Sequence, residues 1–176
     1  MKDTGIEMDR YDELDIRLSK AELTADILEE LIRLSEAWEN ENSCYGYRKN
    51  ERSDIEGNQV FLACHGTEIA GYLFGHMERS EKAGSIMADG TPFFEIEELY
   101  VRPEQRSKGI GKRLFDYAEY AVRDQAEYLM LSTATKNCKA ILHFYIEELD
   151  MRFWSARLFK KVCRKSEENG TEVHIE

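Results

Sequence analysis

A layered fold in which helices pack against a β-sheet, α/β or α+β in class, is predicted for this chain by three observations. Its 176 residues are 42 % hydrophobic, enough to fill one core. Strand-like runs alternate with segments whose apolar residues recur every three or four positions, and the second half reads strand, helix, strand. There is no internal repeat and no apolar run near the roughly 20 residues a membrane-spanning helix needs. Residues 1–176 are therefore expected to form a single domain, with 1–12 and 164–176 as loose termini.

Each element has its own warrant. Leu14, Ile16 and Leu18 alternate with charged neighbours as a half-buried strand does, and Ser19 is placed to cap a following helix. From Ala21 to about Trp38, the positions Leu23, Ile27, Leu28, Leu31, Ile32, Leu34 and Trp38 form one helical stripe. Asn40 to Asn58 lacks periodicity and reads as a long surface loop or short irregular helix. Within it, the aromatic and acidic residues of Trp38 to Asn50 suit either a wall for a cationic molecule or a plain polar loop. Val60 to Cys64 and Ile69 to Phe74 flank His65-Gly66-Thr67-Glu68 as a hairpin, and Glu78 to Gly90 is a longer connection. Phe93 to Val101 reads as a strand, Ile110 to about Gln125 as a helix and Tyr128 to Thr133 as a strand. A second helix is expected from Cys138 to Leu149 and a closing strand from Phe153 to Val162.

Charge and cysteine usage exclude several classes. The formal charge is −11, so a basic field for nucleic acid or anionic lipid is absent overall. The opening residues lack the apolar core of a signal peptide, and a cytoplasmic protein is expected. Cys44, Cys64, Cys138 and Cys163 are scattered without metal-ligand spacing and are read as reduced thiols. His65, His76, His143 and His174 form no recognisable triad or metal set and are read as structural.

Chemistry concentrates in Arg102 to Arg113, R-P-E-Q-R-S-K-G-I-G-K-R, between the predicted strand and helix. Five basic residues and one acid give it a charge of +4, leaving −15 for the rest of the chain. Gly109 and Gly111 remove side chains where the loop tightens into the helix, so that backbone N–H groups can approach an anion at the positive helix end. Lys112 and Arg113 occupy a first turn that normally favours acids, which points to an external anion. The run is neither a Walker loop nor a dinucleotide fingerprint, since Leu114 stands where the third Gly would be.

The segment Glu97-Glu98-Leu99-Tyr100-Val101-Arg102-Pro103-Glu104, followed by Arg106-Ser107-Lys108-Gly109-Ile110-Gly111, resembles motif A of the GNAT superfamily of acetyl-CoA-dependent N-acetyltransferases, whose signature is Q/R-x-x-G-x-G/A. An Asn…Ala…Phe-Tyr helix downstream extends the likeness to about residues 93–162. The resemblance implies a mixed, mostly antiparallel central sheet with a splayed pair of parallel strands and helices on both faces. It implies that acetyl-CoA is bound by backbone amides from Arg106 through Gly111, with Arg106 and Lys108 flanking its diphosphate, Ser107, Ile110 and Lys112 in the same cradle, and Asn137 nearby. Leu99, Tyr100 and Val101 would pair with the pantetheine arm as an added strand does, and the Leu99 N–H would stabilise developing oxyanion charge, worth about 3 kcal/mol.

Transfer to an amine needs a base, because an alkylammonium with a pKa near ~10 cannot attack. Glu95, Glu97 and Glu98 are the candidates, with Glu97 ranked first because spermidine/spermine-type relatives carry a similar acidic pair before I/L-Y-V. Strict alternation places Glu95 and Glu97 on the face of Leu99 and Glu98 on the other, unless a bulge breaks the parity. Tyr145 resembles the tyrosine that protonates the leaving thiolate in this family. Asn137 and Tyr145 are eight apart, one more than usual, and Leu149-Asp150-Met151 replaces Leu-Gly-Phe. An extra residue turns a helix by about 100°, so both keep their places only where a π-bulge absorbs it. The expected acceptor is a primary amine on a small, cationic, polyamine- or aminoglycoside-like molecule. The alternatives are a protein lysine or N-terminus, or acyl-CoA binding without turnover. Relatives often pair, so a homodimer is also implied.

Overall fold

The computed structural model describes residues 15–160. Five strands form one sheet in the order β1-β2-β3-β4-β5: β1 Ile16–Ala21, β2 Gln59–His65, β3 Glu68–Arg79, β4 Pro92–Val101 and β5 Tyr128–Leu131. The first four pair antiparallel and β4 pairs parallel with β5. Helices α1 (Ala25–Glu41) and α2 (Arg52–Ile55) lie on one face. Helix α3 (Ile110–Val122) lies on the other, and α4 (Cys138–Leu142) follows β5. This is the expected mixed sheet with helices on both faces.

Side-chain alternation builds two cores. Val60, Leu62, Tyr72, Phe74 and Tyr100 bury against Leu28, Leu31 and Leu34 of α1. Phe61, Ala63, Leu73, Phe94 and Ile96 bury against Ile110, Leu114, Phe115 and Ala118 of α3. Each such side chain withdrawn from water contributes roughly 1.5–3 kcal/mol. No helix among the described residues is long and apolar enough to cross a membrane.

Several boundaries differ from expectation, each for a tertiary reason. Ser19 does not cap a helix, because it pairs with Leu62 inside β1. The cap is Thr24, whose Oγ1 accepts the Ile27 N–H at 3.3 Å, and α1 runs past Trp38 to Glu41. Leu14 lies outside the described residues. Helix α3 ends at Val122 rather than Gln125, and β5 ends at Leu131 because its pairing with β4 stops there. The expected helix from Cys138 to Leu149 is α4 followed by a π-helical turn over His143–Glu148. The Leu149 N–H reaches back to the Phe144 carbonyl at 3.1 Å, so the extra residue is absorbed by wider winding. Asp150 then takes φ +53°, the left-handed conformation that glycine would adopt more easily. Residues 153–160 of the expected closing strand form no strand, having no sheet partner, and Phe153, Trp154, Leu158 and Phe159 are exposed. The rest of that expected strand, and the expected loose ends 1–12 and 164–176, lie outside the described residues.

Candidate active site

The site is built around β4. Register with β5 runs from Phe93 opposite Tyr128 to Ile96 opposite Leu131 and stops, so the two strands part after Ile96. The Arg102 N–H donates to Ala70 O at 2.9 Å toward β3. By strand alternation the Tyr100 N–H points the same way, while those of Leu99 and Val101 point into the gap that β5 has left. Leu99 and Val101 thus present backbone groups there. The Tyr100 side chain is buried under α1, so its ring belongs to the core rather than to the gap.

At the C-terminal end of this gap, the chain turns through Pro103–Gln105 into α3. Ser107 at φ +60° and Gly109 at φ +76° are both left-handed, which turns successive amides to one side. Among the described residues, the N–H groups of Ser107, Lys108, Gly109, Ile110, Gly111 and Lys112 meet no protein acceptor, and Gly109 offers no side-chain cap. Six donors at the positive end of a 13-residue helix make a cradle whose chemistry suits an anion. A Cβ on Gly111 would stand 3.2 Å from the Phe144 ring, so glycine gives the ring its close approach there. Ile110 anchors the cradle, with its side chain fully buried.

The cations around the cradle have partners of their own. The Arg106 N–H donates to Pro103 O at 3.3 Å, and its guanidinium bonds Val101 O at 2.9 Å and both carboxylate oxygens of Glu41 at 2.8 Å. Arg106 therefore does not flank the cradle in the expected way, and its amide is not among the free ones. Lys108 donates to the Gln105 side chain at 3.0 Å, Lys112 pairs with Asp116 at 3.2 Å, and Arg113 donates to Ile16 O at 2.9 Å. The unusual cations of the first turn thus have structural uses as well.

A bulge decides where the carboxylates point. Phe74 pairs with Glu98 and Gly75 with Ile96, leaving Glu97 as the extra residue on β4. Parity shifts by one: Phe94, Ile96, Leu99 and Val101 face α3, while Glu98 and Tyr100 face α1. Glu95 and Glu97 accordingly do not share the face of Leu99. Glu97 is half-exposed, 3.6 Å from His76 Nδ1, and Glu95 lies opposite His76 in register. Glu98 Oε2 accepts from Tyr72 OH at 2.8 Å and Asn50 Nδ2 at 3.0 Å. Burial raises the pKa of Glu98, against the lowering effect of those bonds, and raises that of Glu95, with help from the charge of Glu97.

On this side of β4 lies a cleft of about 660 Å³, lined by Glu97, Glu98 and His76 from the sheet, Tyr47 and Asn50 from the loop after α1, and Asp54 of α2. Part of the Trp38–Asn50 loop therefore does form a wall. Asn50 is fixed by its N–H to Ser35 Oγ, 2.9 Å, and Ser35 in turn donates to Ile32 O. Arg48 neutralises Asp54 through two bonds of 2.7 and 2.9 Å. The Tyr47 hydroxyl, buried near Glu98, is pushed upward in pKa by that burial and by the carboxylate's charge. His76, read from sequence as structural, lines the cleft, with Nδ1 at 3.1 Å from Asn58 Oδ1 and Nε2 at 3.1 Å from Glu78 Oε1. Sequence reading passed over His76 as a site residue, and it placed Tyr47 and Asn50 only within the Trp38–Asn50 loop. For His76 the signal was available, two steps beyond Phe74 on one strand face.

Tyr145 sits in the π-helical turn beside Phe144, ring centroids 5.2 Å apart. Burial, and secondarily Cys44 nearby, push its hydroxyl up to about 12, so it is a protonated donor at neutral pH. Asn137 is spent partly on capping α4, its Oδ1 accepting the Ala140 N–H at 3.4 Å.

Comparison with known proteins agrees with this geometry. The family model described as "Acetyltransferase (GNAT) family" matches residues 25–150. Among solved structures, an aminoglycoside acetyltransferase from an uncultured soil metagenomic sample superimposes with a TM-score of 0.63 at 16% identity, covering 84% of this chain and 99% of that one. A second soil metagenomic aminoglycoside acetyltransferase, in complex with sisomicin, gives 0.59 at 17% identity over 86% and 99%. A transcriptional regulator from Bacillus halodurans C-125 gives 0.61 at 20% identity over 84% and 99%. No curated protein matches the sequence. These structures are similar in fold, and the family model, spanning more than half the chain, shows that it belongs to the GNAT acetyltransferase family.

Proposed function

We propose that this protein transfers the acetyl group of acetyl-CoA to a primary amine of a small cationic molecule, by direct attack within a ternary complex. One observation carries the reading: a single strand, β4, opens one edge onto six amides that meet no acceptor among the described residues, and turns Glu97 and Glu98 toward an acidic cleft. The cradle of Ser107 to Lys112 suits the diphosphate of coenzyme A, and the edge at Leu99, with the Val101 N–H, suits its amide-bearing arm. Acetyl-CoA supplies the acetyl group as a thioester.

The chain's own residues then divide the work. Glu97, half-exposed at the bulge, accepts the ammonium proton directly or through water. Glu98 holds Asn50 and Tyr72 in place at the cleft wall, and Glu95 lies opposite His76 on the neighbouring strand. The Leu99 N–H faces the carbonyl oxygen as charge develops on it. Tyr145 donates its proton to the departing sulfur, with Phe144 packed between it and Gly111. The size and acidity of the cleft favour a small polyamine- or aminoglycoside-like acceptor over a protein lysine.

The test is an acetyl-CoA turnover screen over polyamines, aminoglycosides, amino acids and peptides, read as released thiol, with coenzyme A affinity measured in parallel. Turnover with small polyamines or aminoglycosides is expected. Turnover confined to peptides would shift the acceptor class, and binding without turnover anywhere would leave a non-catalytic acyl-CoA module.

A further inference from the structure

Glu41 ends α1 and is remote in sequence from every motif described above. Its carboxylate nevertheless accepts three hydrogen bonds: Arg106 Nη1 and Nη2, each at 2.8 Å, and Tyr100 OH at 3.2 Å. The Arg106 Nε simultaneously takes Val101 O at 2.9 Å, and the guanidinium lies 5.5 Å from the centre of the Tyr100 ring. A planar fork held on both edges and backed by an aromatic ring has a fixed direction, unlike an ordinary surface ion pair. Glu41 is thereby tied to β4 and to the start of the anion cradle.

The residues immediately after Glu41 are tied to the opposite side of the gap. The Tyr45 N–H donates to Ala134 O at 2.8 Å, the Lys136 N–H donates to Ser43 O at 2.9 Å, and Cys44 bridges Thr135. Lys136 Nζ adds a bond to Asn42 O at 2.8 Å, and Trp38 Nε1 holds Ser43 Oγ at 3.1 Å. Residues 42–45 therefore form a strap from the β4 side to the chain beyond β5, across the opening where the two strands have parted. The strap continues directly into Tyr47 and Asn50 of the cleft wall.

We infer that Glu41 and Arg106 act as one latch, positioning residues that hold this strap on the cradle and so set the width of the gap between β4 and β5. This rests on the reading of the gap and cradle as the coenzyme A site. Arg106 then serves cofactor binding by shape rather than by contact with the anion. Two separate contributions can be told apart: if Arg106 touched the anion directly, freeing it from Glu41 would leave affinity unchanged or improve it.

The experiment is a double-mutant cycle of Glu41→Gln and Arg106→Gln, read by calorimetric titration with coenzyme A and by hydrogen exchange at the Tyr45 and Lys136 amides without ligand. Each single variant is expected to weaken coenzyme A binding about 5- to 10-fold, and the double variant no more than either, as a single unit requires. The two amides should exchange at least several-fold faster in all three variants, and the charge-reversed pair Glu41→Arg with Arg106→Glu should recover part of the affinity. Unchanged or tighter binding by Glu41→Gln, or unaltered exchange at both amides, overturns the latch. If the unmodified protein binds no coenzyme A, the acetyltransferase reading fails instead, and the exchange data alone decide whether the latch holds the strap.

Discussion

Replacing Gly75 by alanine tests whether the bulge that aims the carboxylates depends on bare backbone in the facing strand. Gly75 pairs with Ile96 next to the extra residue Glu97. A Cβ built there would lie 2.1 Å from Glu95 O and 3.0 Å from the Phe94 ring. Neither neighbour can yield easily, one being backbone and the other a fully buried ring. Strands β3 and β4 must therefore separate locally by about 1 Å before ordinary contact is restored. Overpacking of this kind costs about 1–3 kcal/mol, and one or two weakened ladder hydrogen bonds add about 1 kcal/mol each. A total near 3 kcal/mol corresponds to a fall in Tm of roughly 6–12 °C for a chain of this length. Gly75 lies outside the left-handed region, so the cost comes from packing alone. Thermal unfolding followed by circular dichroism measures it, with Gly84→Ala as control, since a Cβ there meets nothing within 4 Å. The control should stay within about 0.5 kcal/mol of the unmodified protein. A Gly75→Ala protein melting within 2 °C of its parent would refute the argument that close approach at the bulge fixes the site.

Glu97→Gln is expected to lower kcat by roughly 10²-fold, and a change under threefold would remove Glu97 as the base. Tyr145→Phe should lower kcat by a similar order, about 10²-fold, with KM for acetyl-CoA little altered; an equal loss expressed only in KM would mean that the hydroxyl binds rather than donates. Glu98 has its pKa raised in the fold, so its protonated form favours the native state, and the stability it contributes is lost as pH rises through the folded value. Glu98→Gln should accordingly gain in Tm relative to the unmodified protein between pH 4 and pH 7, and a relative loss over that interval would show that the bonds from Tyr72 and Asn50 outweigh burial.

Much of the architecture was legible in the chain itself. The hairpin of β2 and β3 follows from two apolar runs around His65-Gly66-Thr67-Glu68, and α3 from the stripe Ile110, Leu114, Phe115 and Ala118 after the glycine loop. Long periodic segments are legible because burial on one face acts on every third or fourth residue at once. Ends are not, because tertiary pairing competes with local preference: Ser19 has the chemistry of a helix cap but is held in β1 by Leu62. The closing strand at Phe153 had suitable composition, yet among residues 153–160 no pairing forms, since β propensity describes a surface to pack on and not the partner that supplies it.

What the sequence determined by itself is the cradle: glycines, a left-handed turn and a helix start are consecutive residues, so their donors converge through local backbone geometry alone. What only the tertiary structure decided is the direction of the side chains around it. A single extra residue opposite Gly75 reverses the parity of Glu95 and Glu97 relative to Leu99, because strand side chains alternate with a period of two and one insertion exchanges the faces. The π-helical turn bearing Tyr145 and the joining of Glu41 to Arg106, 65 positions apart, likewise depend on contacts between segments that no local spacing records.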